Sequence, residues 1–150
     1  MSDLLLPEQG ARPWLPAGNV SPIETLNEYD IPLAGLIEQG GTNYLFACLL
    51  GEMEDANIWA YARVDAPEIA YLRSLVDDQL SAAIDEVLTN RMLIVAMAGD
   101  YELDDWMRID AGIEGPVGLA GRFLDLMEQR IEERRREVQA LERQKELTSR

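Results

Sequence analysis

The sequence predicts an α+β fold: a small antiparallel sheet of four or five strands, two short helices and a long C-terminal helix. Three observations carry this. Runs rich in branched and aromatic residues, separated by turn signals, fill residues 23–64. Two shorter stretches with helical apolar spacing follow, the first behind a capping signature. An alternating three–four spacing, apolar except at Arg134, Lys145 and Thr148, then runs from Val117 to Thr148. The expected organisation is an extended proline-rich arm over 1–22, an acidic α+β domain over 23–112, and a hinge with a long amphipathic helix, a possible coiled coil, over 113–150.

The arm holds Pro7, Pro13, Pro16 and Pro22, which forbid a lasting helix, with Trp14 and Leu15 as candidate anchors. The expected strands are 23–29, 31–39, 42–50, 58–64 and 91–98. Gly40 and Gly41 supply the positive φ of a tight hairpin. In 58–64, Ile58, Ala60, Ala62 and Val64 share one face, and Trp59, Tyr61 and Arg63 the other. Asp65 and Glu68 form a capping box with Pro67 in the first turn, and Ile69, Leu72, Leu75 and Val76 give the inward stripe. Asp77-Asp78 reads as a break. A second helix is expected from Ser81 to Leu88, with Leu80, Ile84, Val87 and Leu88 inward and Asn90 as terminator.

The heptad seam of the last helix, expected over 119–147, runs through Leu124, Met127, Ile131, Arg134, Val138 and Leu141. These residues predict self-association or docking. The alternative is that Leu119, Phe123, Leu124 and Met127 pack onto the sheet and only the tail is free.

Charge narrows the function. Residues 1–121 contain five arginines, no lysine and 21 acids, a net of −16, whereas 122–150 carry eight bases and seven acids. Such a field repels nucleic-acid phosphates and anionic membranes and attracts a basic protein. No apolar run is long enough to span a bilayer, the start MSDLLLPEQG lacks a basic signal region, and the single cysteine forms no internal disulfide. The expected location is cytoplasmic.

Chemistry has few vehicles. Histidine is absent, which removes histidine-dependent triads and histidine-ligated metals. Cys48 sits in an apolar run, as a core cysteine does. No phosphate-binding glycine motif occurs. The stretch GDYELDDWMRID, 99–110, fails as a calcium loop because Asp105 and Ala111 replace the required Gly and Glu. Arg134, Arg135 and Arg136 are interleaved with acids, as on a solvated helix face. No cofactor or metal is expected.

The leading expectation is therefore a non-enzymatic acidic module of inhibitor, immunity or adaptor type, with imitation of nucleic acid as one mode and defence or counter-defence complexes as analogous settings. It would bind through Glu52, Glu54, Asp55, Asp100, Tyr101, Glu102, Asp104, Asp105 and Trp106, and associate through the C-terminal helix. Alternatives are a structural scaffold subunit built on that helix and a carboxylate-metal hydrolase.

Residues 23–100 also carry Tyr29, Asp30, Pro32, Leu33, Gly41, Tyr44, Leu45, Trp59 and Tyr61 in order. In these the chain resembles a family of small bacterial domains of unknown function, with an aromatic-Asp-x-Pro-Leu opening, a glycine hairpin and a Trp/Tyr strand. The resemblance implies a compact α+β sheet domain and brings no catalytic residues.

Overall fold

The computed structural model describes residues 5–51 and 56–148. The chain divides into two units, Met1–Ala120 and Gly121–Arg150. The first is built on a six-stranded antiparallel meander whose spatial order is its sequence order. The strands are β1 (Val20–Tyr29), β2 (Ile31–Gln39), β3 (Thr42–Leu50), β4 (Asn57–Val64), β5 (Met92–Gly99) and β6 (Glu102–Asp110). Between β4 and β5 lie α1 (Ala66–Arg73) and α2 (Asp77–Val87), and α3 (Gly115–Thr148) ends the chain.

Six strands replace the expected four or five. The added strand is β6, which is most of the acidic stretch. It pairs with β5 from Met92↔Asp110 to Gly99↔Glu102, with one irregularity where Ala98 faces Leu103 and Met97 faces Asp105. Asp104 is the extra residue of this bulge, so Leu103, opposite Ala98, falls on the other face from Met107 and Ile109, opposite Val95 and Leu93, although all three keep step in the sequence.

Local chemistry sets the turns. Gly40 and Gly41 both adopt positive φ between the paired Gln39 and Thr42, as a two-residue hairpin with right-handed strand twist requires. Asp100 and Tyr101 do the same between Gly99 and Glu102. The Asp65 capping box forms reciprocally: Glu68 N–H donates to the Asp65 carboxylate at 2.9 Å, and Asp65 N–H donates to the Glu68 carboxylate at 3.1 Å. The second helix starts at Asp77 rather than Ser81. Asp77 takes a positive φ, so the helical run does break there as expected, and with Asp78 it also opens the first turn of α2, where carboxylates meet the positive end of the helix dipole. Val76 precedes that helix and is exposed rather than inward. Asn90 takes a positive φ just beyond it, and its N–H donates to the Gly112 carbonyl at 2.9 Å.

Both faces of the sheet are buried. On one, Ala34, Leu36, Leu45, Ala47, Ile58, Ala60, Ala62, Val64, Leu93 and Val95 are buried, as are the apolar stripes of α1 and α2. Ser81, Ile84 and Asp85 of α2 share a cavity wall with Ala34 and Ala47. The other face carries Ile37, Tyr44, Phe46, Trp59, Tyr61, Ile94 and Ala96 in one apolar cluster. Its cover is the N-terminal arm. Leu5 is fully buried in the cluster, and Trp14 packs edge-on to Trp59 at 6.3 Å between ring centroids. The Tyr61 hydroxyl donates to the Pro13 carbonyl at 2.6 Å, and full burial raises its pKa well above the ordinary tyrosine value. The arm also pairs with β6: Gly10 N–H donates to the Leu103 carbonyl at 2.7 Å and Leu103 N–H to the Ala11 carbonyl at 2.8 Å. Of the two expected anchors, Trp14 serves and Leu15 stays exposed.

Helix α3 has 34 residues, about 51 Å at 1.5 Å per residue. Leu119, Ala120, Phe123 and Met127 are buried, Leu124 is half-buried, and Ile131 through Leu147 are exposed.

Two substitutions test this packing. A Cβ at Gly35 would lie 2.7 Å from the Glu24 carbonyl oxygen and 2.8 Å from the Phe46 ring, so Gly35→Ala should cost about 1–3 kcal/mol in urea unfolding. Tyr61→Phe keeps the ring and removes the donor to Pro13. It should cost about 1–2 kcal/mol and raise the rate at which protease cuts the arm.

Candidate protein-binding surface

A meander places alternate connections at opposite ends of the sheet. The β1–β2 turn at Asp30, the β3–β4 connection and the β5–β6 turn at Asp100-Tyr101 share one end. The Gly40-Gly41 turn and the ends of β4 and β6 share the other. Among the described residues, the first end exposes Glu28, Asp30, Asp100, Glu102 and Asp104. Glu52, Glu54 and Asp55 belong to the β3–β4 connection and lie outside the described residues.

The bases go elsewhere. Arg63, Arg91 and Arg108 lie toward the opposite end of their strands. Arg91 donates to the Arg63 carbonyl at 2.8 Å and pairs with Glu68 at 2.6 Å. Arg73 pairs with Glu24. Arg12 is at the acidic end, where its guanidinium donates to the carbonyls of Asp100 and Tyr101 at 3.2 and 3.3 Å. Its hydrogen bonds go to the turn backbone, so it clamps the hairpin tip.

The expected aromatic anchors take different positions. Tyr101 is half-buried, with its ring 6.1 Å from that of Trp14. Trp106 is half-buried and packs against the apolar cluster. Asp105 is half-buried too, and its carboxylate accepts from the Trp106 N–H at 2.8 Å, so it braces the bulge. The aromatic that projects at this end is Tyr29, which is 78% exposed between Glu28 and Asp30. Its position at a turn tip, flanked by acids, was the available sequence signal. Of the helix residues, Met127 is buried, Leu124 is half-buried, and Ile131, Val138 and Leu141 are exposed.

Among the described residues no three carboxylate or thiol groups converge as a metal site would need. No described helix is long and apolar enough to cross a membrane. Cys48 borders a cavity with Asn27, Gly51, Ser81 and Asp85. Burial raises the Cys48 thiol pKa, outweighing a hydrogen bond with the Leu50 backbone that lowers it. Burial likewise raises the Asp85 carboxyl. A thiol held protonated is a poor nucleophile. Alkylation of Cys48 by iodoacetamide should therefore be slower at pH 7–8 than that of an unhindered thiol, and its rate should rise with a midpoint above the ordinary thiol range of about 8.5. Comparison of the chain with protein-family models, curated proteins and solved structures gives no match.

Proposed function

We propose that this chain is a non-enzymatic, acidic protein-binding module of inhibitor, immunity or adaptor type. In this reading the acidic end of the sheet meets a basic surface on another protein, and α3 is the element of association. The observation that carries it is the display of exposed acids at both corners of one sheet end: Glu28 and Asp30 flank the projecting Tyr29 at the β1–β2 turn, and Asp100, Glu102 and Asp104 lie at the β5–β6 turn, four strand spacings or about 19 Å across the sheet, where Arg12 is turned onto backbone carbonyls. Charges of one sign displayed together raise the encounter rate with an opposite surface, and an exposed ring beside them supplies area to bury. Rigidity favours the same role. The β5–β6 tip is held by hydrogen-bonded strands and by the arm, so little entropy is lost when it docks.

Asp30 takes a positive φ that a lysine would strain, so it is left in place. Glu28→Lys, Glu102→Lys and Asp104→Lys together should abolish capture of basic proteins by the immobilised chain, and Tyr29→Ala should weaken it about tenfold or more. Capture by the unmodified chain should fall steeply as salt is raised from about 0.05 to 0.5 M. The control Glu38→Lys changes an acid beside the Gly40-Gly41 turn, at the opposite end of the sheet, and should leave capture intact. A captured set that ignores both the triple reversal and salt would end this reading.

A further inference from the structure

The proposed association through α3 has a definite geometry available to it. Ile131, Val138 and Leu141 are 51%, 52% and 60% exposed and lie on one stripe of the helix with Arg134 and Lys145. In heptad terms Ile131, Val138 and Lys145 occupy a positions, and Arg134 and Leu141 occupy d. The flanking e positions are then Glu128, Arg135 and Glu142, and the g positions are Arg130, Glu137 and Gln144.

These flanks discriminate among the ways two copies can pair. A parallel, in-register pair sets each g residue against the e residue five places on in the other chain. That opposes Arg130 to Arg135 and Glu137 to Glu142, two repulsions repeated by symmetry. An antiparallel pair instead matches e with e and g with g. Facing Ile131 with Leu141 opposes Arg135 to its own copy, Glu137 to its own copy and Glu128 to Glu142. Shifting by one heptad so that Met127 faces Val138 makes the flanks attractive but uses Met127, which is already buried. Shifting one heptad the other way puts Val138 opposite Leu141 twice and Arg135 opposite Glu142 twice, and leaves Glu137 opposite the neutral Gln144. Every side chain this register engages within 131–147 is exposed in the single chain, and Arg135, which pairs with Glu132 one turn back at 3.0 Å, would share its guanidinium with Glu142 across the pair.

We propose that the distal half of α3 pairs with the same segment of a second copy of this chain, antiparallel, with Val138 facing Leu141 and Arg135 facing Glu142 across the pair. The proposal deepens the association half of the function above. The layers of Arg134 against Lys145 oppose like charges whose long stems reach outward to water, so the pair is weak and concentration-dependent.

Sedimentation equilibrium of the full chain tests it, with circular dichroism to confirm that α3 persists. The unmodified chain should show a monomer–dimer equilibrium below about 1 mM, and either Arg135→Glu or Glu142→Arg should weaken it about tenfold, since two attractions become two repulsions. Mixing the two variants should restore the original affinity, because the mixed pair sets Glu against Arg at both flanks. A tighter dimer for Arg135→Glu would instead indicate parallel pairing, where Arg130 gains a partner, and would overturn the proposal. So would a mixture that fails to recover, which signals another register, or an unmodified chain that stays monomeric, which leaves the stripe to a different occupant or to water. None of these substitutions touches the acidic end, so capture of basic proteins reports separately on the functional reading.

Discussion

The burial of β4 on both faces is the constraint from which the first unit follows. Every residue from Asn57 to Val64 except Arg63 is buried, with aliphatic side chains on one face and Trp59 and Tyr61 on the other. One layer of helices can cover only one face. The chain before β1 covers the second, and its prolines suit the task because an extended segment crossing a sheet has no regular ladder to complete. The arm's polar groups still need partners. They find them in the Tyr61 hydroxyl and in the backbone of Leu103.

The same arm shapes the acidic end. By pairing with β6 and bringing Arg12 onto the Asp100 and Tyr101 carbonyls, it pins a turn whose two central residues both lie in the left-handed region. Neither is glycine, so that turn carries a conformational cost that the arm's hydrogen bonds and the Trp14–Tyr101 contact offset. Covering an aromatic sheet face and displaying carboxylates at the sheet's end are thus parts of one arrangement. Meander topology supplies the rest, because it returns every second connection to the same end.

Much of this was legible in the sequence, and the misses have physical causes. The Gly40-Gly41 hairpin, the Asp65 capping box and the two-faced pattern of 58–64 each depend on residues close in sequence, and each is found. The sixth strand was hidden by Trp106, which breaks the alternation of Leu103, Met107 and Ile109 and which the bulge at Asp104 brings to the face of Leu103, and by an acid density that reads as loop. Asp77-Asp78 reads as a break on propensity, and Asp77 does break the run, yet the helix dipole makes the same acids a good first turn. For the candidate surface, composition identified an acidic region but not its aromatic. Trp106 and Tyr101 are half-buried through contacts with the apolar cluster and Trp14, long-range contacts that no local pattern encodes, whereas Tyr29 projects.

The division of charge along the chain suits the two tasks assigned to its parts. Steering needs one sign over a wide surface, which suits residues 1–121 to attracting a basic partner and equally makes two copies repel. Pairing needs both signs in alternation, and residues 122–150 have them in near balance. A strong zipper would overcome the repulsion by force of apolar layers, but Arg134 and Lys145 interrupt the stripe after a few. With so little apolar area available, the orientation of the proposed pair is left to its flanking charges, which in the antiparallel register set Arg135 against Glu142 and in the parallel one set Arg130 against Arg135.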